Sequence, residues 1–235
     1  MRIIRRLVVT VVVLGVLGVL ANVFIVQAAE QKAGDEIRSH LHLAKAPDVK
    51  IEGFPILLHV LQGNIPKVTI DGNQADIQGL LIANFHVELR AMRAKLAELR
   101  AGISKLRVGG GTASATVTQA AANDYLKNQK EEGRVTFGNG VTRIQKHVTY
   151  LGRSRLVAAS GKLLIDGADL VFRATKVTMD GKTPPPPFAD RARRDASFRV
   201  HLPAIPGGIR PQKVEVLSGL LRFTSEFDAS TISLG

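Results

Sequence analysis

A basic end followed by a long apolar run constrains the start of this chain more than any other feature. Arg2, Arg5 and Arg6 precede residues 7–26, which carry no charge and only two polar side chains. A positive segment before an apolar stretch is typical of an export signal or a signal anchor. A run of about 20 apolar residues is also long enough to span a bilayer if it is retained.

The residues after this run suggest where the exported part begins. Val26-Gln27-Ala28 offers small or tolerated side chains for cleavage before Ala29. We therefore predict a signal peptide or signal anchor over residues 1–28 and an exported domain over residues 29–235. The positive end would stay cytoplasmic, and the domain would lie in the cell envelope, either periplasmic or anchored to the cytoplasmic membrane.

The composition restricts the partners of the exported domain. The chain has no cysteine, which excludes disulfides and fits a bacterial envelope better than a eukaryotic secreted module. The formal net charge is +12, and removing the three N-terminal arginines leaves +9. Such a charge favours anionic lipid headgroups at a membrane surface, or acidic envelope polymers. Aromatic residues make up 5% of the chain and tryptophan is absent, which argues against nucleic acid as a partner.

The first elements of the exported part are predicted from spacing and turn residues. Ala29, Ala33, Ile37 and Leu41 recur every four residues and predict a helix over 29–43. A short strand over 48–52 should follow. Pro55 and Gly63 then bracket a short apolar helix over residues 55–61, which is either buried under a sheet or dips into a membrane.

Period-two alternation dominates the rest of the chain. It predicts a strand over 67–71 that turns at 71–73, and one long strand over 77–89. Helix propensity favours a helix over 90–106, with a continued strand as the alternative, and the glycines at 109–111 should break the chain. The later predictions are a strand at 112–117, a helix from the Thr118 cap to Gln129, a meander over 135–179, polyproline at 184–187, a strand at 196–202, and a hairpin of 212–217 with 220–227.

This order of elements predicts an α+β fold. A long twisted antiparallel sheet should wrap around a few helices and leave an apolar groove between them, after an N-terminal hydrophobic export or anchor helix.

Three segments carry a resemblance to a known family. Residues 49–58 contain Gly53-Phe54-Pro55, residues 113–126 combine a strand with a helix, and residues 202–210 form a proline-rich turn. Together they resemble the actinobacterial LmeA-like phospholipid-binding family over about residues 29–234. The resemblance implies an exported lipid-binding domain with a fold similar to the tubular lipid-binding proteins and a role in the cell envelope. A phospholipase activity is also associated with the family.

The apolar face of the predicted long strand, together with the short apolar helix, is the candidate wall of a lipid groove. More apolar strand surface is present than the few predicted helices can cover. The predicted groove residues are Phe54, Leu57, Leu58, Leu61, Ile77, Leu81, Phe85, Val87 and Leu89.

Two arginine groups are candidates for contact with a membrane surface. They comprise Arg93, Arg100 and Arg107 in one segment and Arg191, Arg193 and Arg194 in another. Either these side chains form solvated faces, or they attract the domain to anionic headgroups, with each worth about 1 kcal/mol near such a surface.

Motifs for catalysis or metal binding are weak. The pentapeptide Gly-x-Ser-x-Gly of serine lipases does not occur. His40 and His42 lack a third ligand at a matching spacing, so no metal is expected. We interpret His59 as a hydrogen-bonded core histidine and His86 as solvated. No cofactor is expected, and the catalytic residues of any hydrolase remain unknown.

Three functions are consistent with these observations. The first is an exported protein that binds phospholipid, and transfers it, in support of envelope lipid or lipoglycan maintenance. The second is a phospholipase A-type hydrolase that acts on envelope phospholipid. The third is a non-catalytic envelope scaffold whose apolar interior is only a core.

Overall fold

The computed structural model describes residues 23–41, 43–53, 56–93, 105–130, 133–150, 153–202 and 209–233. Four helices are described: α1 (23–41), α2 (Ile56–Leu61), α3 (Gln119–Asn128) and α4 (Pro186–Ala196). The strands are β1 (Asp48–Glu52), β2 (Asn64–Ile77), β3 (Leu80–Arg93), β4 (Lys105–Thr118), β5 (Arg134–Gly138), β6 (Val141–Tyr150), β7 (Arg153–Asp166), β8 (Asp169–Met179), β9 (Phe198–His201), β10 (Lys213–Leu217) and β11 (Leu220–Ser233).

The strands form two antiparallel sheets, where a single long sheet was predicted. The first sheet has the order β1-β2-β3-β4-β11-β10, and the second has the order β5-β6-β7-β8-β9. The protein is therefore mainly β, with helices packed on the sheets. The strands divide into two sheets because α3 follows β4 and separates it from β5. At the end of the chain, β11 pairs with β4, so β10 and β11 belong to the first sheet.

Helix α1 lies against the first sheet. Ala33 and Ile37 pack on an apolar cluster that includes Val49. The Glu30 Oε1 atom accepts a hydrogen bond of 2.7 Å from the backbone N–H of Ile51 in edge strand β1. Gly34 permits this approach, since a Cβ atom there would lie 2.8 Å from the carbonyl oxygen of Pro47. The predicted helix over 29–43 is thus confirmed over residues 29–41, as part of a helix that already includes residue 23.

Helix α3 holds the edge of the second sheet. Thr118 caps it as predicted, with Oγ1 accepting a 3.1 Å hydrogen bond from the N–H of Ala121. Asn123 bonds both backbone groups of Val135 in β5, at 2.8 and 2.9 Å. Gln119 Oε1 accepts a further bond of 2.9 Å from the N–H of Phe137. A core cluster containing Ala121, Val135 and Phe137 joins α3 to both sheets.

Helix α4 covers part of the second sheet. Ala192 and Ala196 pack over Phe172, which is fully buried. The ring of Phe172 stacks on that of Phe198 in edge strand β9, with 5.3 Å between ring centroids. The polyproline prediction is wrong at its end, because Pro186 begins α4. Proline at the first helical position is favourable because it has no N–H to leave unpaired.

The predicted long strand over 77–89 is confirmed over residues 80–89 but is wrong at its start. β2 continues to Ile77, and β3 begins at Leu80 after a turn at Gln78 and Gly79. Both turn residues have positive φ, 53° and 86°. The predicted turn at 71–73 is also wrong, because those residues lie inside β2 and pair with β3.

Two further predictions fail because strand pairing overrides local preference. The helix predicted over 90–106 is wrong at both ends, because residues 90–93 belong to β3 and residues 105–106 belong to β4. Residues 94–104 lie outside the described residues. The glycines at 109–111 do not break the chain but run within β4. The meander over 135–179 and the hairpin at Ser218–Gly219 are confirmed.

Residues 1–22, which hold most of the predicted hydrophobic segment, lie outside the described residues. Among the helices that are described, none combines the length and apolar character needed to cross a bilayer.

Candidate functional site

One face of the first sheet carries rows of apolar side chains that run across neighbouring strands. Directly paired residues of antiparallel strands share a face, so the register defines each row. The rows are Ile51–Val68–Leu89–Gly111–Phe227, Val49–Ile70–Val87–Ala113–Ser225 and Gly72–Phe85–Ala115–Phe223–Val214. We call this surface the inner face. Several of its members, including Ile51, Ile70, Phe85, Val87 and Phe227, are only partly buried.

The inner face is long enough to accommodate an acyl chain. From Leu221 to Phe227, β11 advances six residues, or about 20 Å at roughly 3.4 Å per residue. One leaflet of a bilayer has a hydrocarbon depth of about 15 Å, half of the roughly 30 Å core. α1 lies along the same face and covers part of it, with Ala33, Ile37 and Leu41 packed against buried residues of the sheet.

Two glycines make room for aromatic rings on this face. Gly72 is paired with Phe85, and Gly111 is paired with Phe227. A Cβ atom at Gly72 would collide with the Phe85 ring, and one at Gly111 would lie 2.5 Å from Phe227 Cζ. Each ring therefore lies across the backbone of the neighbouring strand.

The predicted groove residues fall into three groups. Phe85, Val87 and Leu89 lie on the inner face, and Ile77 packs against the core cluster around α3. The predicted alternation is wrong at Leu81, which is 45% exposed while Ile82 is buried beside it. This break in the alternation of β3, between Phe85 and Ile82, lies beside Gln74 of β2, whose φ is positive at 54°.

The short helix α2 contributes less than predicted within the described residues. Leu58 is 50% exposed. Phe54 and the side chains of Leu57 and Leu61 lie outside the described residues. His59 Nδ1 is buried without a hydrogen-bond partner in the described part of the chain, so its interpretation as a hydrogen-bonded histidine is wrong for that atom.

One end of the first sheet combines cations with exposed apolar residues. Arg93 and Arg107 are paired across β3 and β4, and both are exposed. α1 reaches beyond β1 toward this end, where its residues Val23, Phe24 and Ile25 are exposed, Phe24 by 70%. α2, with Leu58, directly precedes β2 at the same end. We call it the basic end. Arg100 lies outside the described residues.

The second predicted arginine group lies elsewhere, on α4 over the second sheet. Arg191 forms an ion pair of 3.7 Å with Asp195, and Arg193 pairs with Asp190. Arg194 is exposed in the last turn. Because two of the three charges are partly neutralised, this group is a weaker candidate for headgroup attraction than the basic end.

An open cleft of about 490 Å³ adjoins the inner face at β11. Its wall includes Phe227 from the inner face, Ile165 and Gly167 from the turn between β7 and β8, and residues 209–212 before β10. Sequence reasoning missed this cleft because its walls come from segments distant in the chain. Its only sequence signal was the proline-rich turn that ends at Arg210.

A second cleft, of about 370 Å³, lies on the outer, polar face of the first sheet. His86 Nδ1 contacts Asp71 Oδ1 at 2.7 Å, and Ser114 is paired with His86 on the other side. The prediction that His86 is only solvated is therefore incomplete. Among the described residues, no group of three or more His, Asp or Glu side chains is placed to hold a metal ion.

Ion pairs shift several pKa values on the outer faces. In the second sheet, hydrogen bonds from Arg199 and then His201 lower the pKa of Asp169. On the first sheet, a hydrogen bond to Glu52 and the charge of Glu88 raise the pKa of Lys67. These ion pairs lie on the faces of the two sheets that are opposite the apolar interior.

The comparisons with known proteins agree with an apolar, lipid-sized inner face. No curated protein and no solved structure matches the chain. The family model described as LmeA-like phospholipid-binding matches residues 20–226, most of the chain. This confirms the resemblance seen in the three sequence segments. The chain therefore belongs to the LmeA-like phospholipid-binding family.

Proposed function

We propose that this chain is an exported protein of the cell envelope that binds a phospholipid and passes it between membrane surfaces. The acyl chain lies on the inner face beside α1, against the partly buried Phe85 and Val87. The observation that carries the proposal is the set of apolar rows across five strands, still partly accessible, in a member of a phospholipid-binding family.

The basic end supports a membrane-facing role. Arg93 and Arg107 place two positive charges side by side, and like charges paired across strands are unfavourable for folding alone. An anionic membrane surface would relieve this repulsion, and the exposed Phe24 and Leu58 would enter the interfacial region. Anionic lipid is therefore the favoured surface partner. The N-terminal segment would export the domain and hold it near that surface.

A space-filling substitution on the inner face tests lipid binding. Ala115 lies between Phe85 and Phe223 on the inner face, so Ala115→Trp should occupy the acyl-chain position. Thr116→Trp places the same side chain on the outer face and serves as the control. Native mass spectrometry should show co-purified phospholipid in the wild type and the control, with most of it lost from Ala115→Trp. A wild-type protein that carries no lipid would instead support the scaffold function.

Ester hydrolysis of phospholipid is a second candidate function, favoured by one observation. Asp71, His86 and Ser114 lie side by side on β2, β3 and β4 and line one cleft, which is the residue set of a serine hydrolase. The surrounding backbone N–H groups are engaged in strand pairing, which leaves few donors for an oxyanion. Binding is therefore the better supported function.

The hydrolase candidate is tested by fatty acid release from a phospholipid in detergent micelles. Ser114→Ala and His86→Ala should each abolish release if this set is catalytic. Thr112→Ala, two residues away on the same strand face, is the control and should retain activity. Release that survives both substitutions would exclude this site.

A further inference from the structure

The outer face of the second sheet carries four cations close together. This face is opposite the one on which α4 packs over Phe172. The four basic side chains are exposed, and the strand register assigns them to this one face. One comes from β6, one from β7 and two from β8: Arg143, Lys162, Arg173 and Lys176. We call these four residues the basic strip.

The register places the basic strip around Ser160. Arg143 is paired with Ser160 on one side and Lys176 on the other, so these two cations start roughly 10 Å apart at about 4.8 Å between strands. Lys162 lies two residues beyond Ser160, about 7 Å along β7. Arg173 is paired with Lys162. Like charges in directly opposed positions repel, so folding alone does not favour this arrangement.

A β-bulge brings Arg173 and Lys176 to the same face. Residues three apart in a regular strand point to opposite faces. Here the register shifts between Ser160 and Gly161, which leaves Thr175 as the extra residue on β8. Thr175 Oγ1 donates a hydrogen bond of 3.0 Å to the Ser160 carbonyl oxygen, and a Cβ atom at Gly161 would collide with the carbonyl oxygen of Arg173. The bulge is thus specified on both strands, and it completes the basic strip.

The carboxylates of this face lie away from the basic strip. In the described part of the second sheet they are Asp166 and Asp169, beside the turn between β7 and β8. Arg199 donates to both, at 2.7 and 2.9 Å. Asp169 is about 13 Å along β8 from Arg173, whereas the screening length at 0.15 M salt is about 8 Å. The basic strip therefore keeps a positive potential at physiological salt.

The outer face of the first sheet is different, because its cations are balanced by nearby carboxylates. Lys67 forms ion pairs of 3.1 and 3.4 Å with Glu52 and Glu88. Lys213 lies 2.7 Å from Glu215. A stable sheet of this protein thus does not require an unbalanced positive face, and the excess on the second sheet fits an anionic partner.

The basic strip lacks the apolar anchors that a membrane contact uses. The basic end has such anchors in Phe24 and Leu58, which are 70% and 50% exposed. On the outer face of the second sheet, the described residues offer one large exposed apolar side chain, Val141 near the turn before β6. The basic strip is therefore suited to a ligand that is bound by charge and hydrogen bonds and stays in water.

Hydroxyl groups alternate with the cations across the strands. The row runs Thr136–Arg143–Ser160–Lys176 from β5 to β8. A polysaccharide with acidic sugars presents hydroxyls and carboxylates in the same alternating way. The strand spacing of about 4.8 Å is also close to the length of one sugar unit. Arginine and lysine both bind carboxylates through charge-assisted hydrogen bonds.

We infer that the basic strip binds a linear acidic polysaccharide, with its carboxylates on the four cations and its hydroxyls on Thr136 and Ser160. The inference rests on the proposed location in the cell envelope, where such a polymer would be met, but not on lipid binding. The basic end then contacts the membrane, and the basic strip holds the domain to the polymer beside it.

The test holds the full chain in phosphatidylcholine nanodiscs on a sensor surface. The analytes are polygalacturonate, neutral dextran and vesicles containing phosphatidylglycerol, and surface plasmon resonance measures each affinity. The wild type should bind polygalacturonate but not dextran, and this binding should weaken from low to physiological salt. Failure to bind polygalacturonate, or equal binding of dextran, would overturn the inference.

A double substitution assigns the binding to the basic strip. Arg173→Gln with Lys176→Gln should weaken polygalacturonate binding by about tenfold, since two ionic contacts are lost. Its binding to the vesicles should stay close to that of the wild type. Lys50→Gln with Lys213→Gln removes two exposed cations from the first sheet and is the charge-matched control. Thermal unfolding reports whether each variant keeps its fold.

Each remaining outcome has a defined meaning. Unchanged polymer binding in the double variant of the basic strip would contradict the assignment. Loss of vesicle binding along with polymer binding would show that this face is a membrane surface instead. Phospholipid that co-purifies with the wild type is measured separately, so a protein that carries lipid but binds no polymer refutes the inference alone.

Discussion

The ring of Phe227 lies over Gly111, the residue directly opposite it on the neighbouring strand. A side chain at position 111 would enter the space that the ring occupies, and would also press on the carbonyl oxygen of Glu88. The Phe227 ring therefore lies flat across β4 at the point where the apolar rows of the inner face meet the cleft.

Replacing this glycine should destabilise the sheet. We expect Gly111→Ala to lower the free energy of unfolding by about 1–3 kcal/mol, because the methyl group has no space. Gly138→Ala is the matched control, since nothing lies within 4 Å of a Cβ atom at that strand position. Urea unfolding of both variants gives the comparison. Equal stability of the two would show that the ring moves aside without cost.

The Asn123 side chain should be the main link between α3 and β5. Asn123→Ala removes two bonds to Val135 and one to the Gln119 carbonyl oxygen, and it leaves the Val135 N–H without a partner. We expect a loss of about 2–3 kcal/mol in the free energy of unfolding. Asp124→Ala changes the exposed neighbour and should cost no more than about 0.5 kcal/mol. Hydrogen exchange at Val135 should accelerate only in Asn123→Ala.

The Asp169 carboxylate should titrate at an abnormally low pH while Arg199 is present. Arg199 first, and then His201, lower the pKa of Asp169 in the folded protein. Its contribution to stability is therefore present above the ordinary aspartate pKa of about 3.9 and is lost as the pH falls through the lower folded value.

Arg199→Gln should raise this pKa toward its ordinary value, as measured by carboxyl-carbon NMR titration. Asp180 is an internal control, because Arg155 and the N–H of Leu156 lower its pKa independently. An unchanged Asp169 titration would mean that His201 alone is sufficient.

The basic end should govern attraction to anionic membranes. In a fragment that begins at Ala29, Arg93→Glu should weaken binding to vesicles containing phosphatidylglycerol by about 2 kcal/mol, since two charge units change. The fold should persist because the introduced carboxylate would face Arg107. Arg173→Glu makes the same charge change on the second sheet and should have a smaller effect. Binding should also weaken with salt, because screening shortens to about 8 Å at 0.15 M.

The N-terminal segment should place the domain outside the cytoplasm. A phosphatase that is active only after export, fused after residue 45, should be active in cells. The same fusion without residues 1–28 should be inactive. Activity in both fusions, or in neither, would contradict the export prediction.

The sequence predicted well those elements whose signals are local. β1, the Thr118 cap and the turn at Ser218–Gly219 each depend on a few adjacent residues, and all three are found as expected. Phe85, Val87 and Leu89 also share one face of β3 as predicted, because alternation within one strand is a local pattern.

Three of the failures depend on partners distant in the chain. The glycine run looks like a break until Phe227 is placed opposite Gly111. Arg93 and Arg107 lie in a stretch with helix-forming residues, yet they pair as neighbours on two strands. The cleft around Arg210 requires β7, β8 and β11 to meet, and no spacing within one segment encodes that meeting.

The docking of α1 has a consequence for proteolytic processing. The helix is continuous from residue 23 to residue 41, across the predicted cleavage position after Ala28. The bond from Ile51 to Glu30 begins just beyond that position, and Gly34 and Ile37 hold the helix further along. A peptidase cutting there would detach the leader while the helix stayed seated on β1. The domain would then exist in a tethered and a released form, and the contact of α1 with β1 would be the same in both.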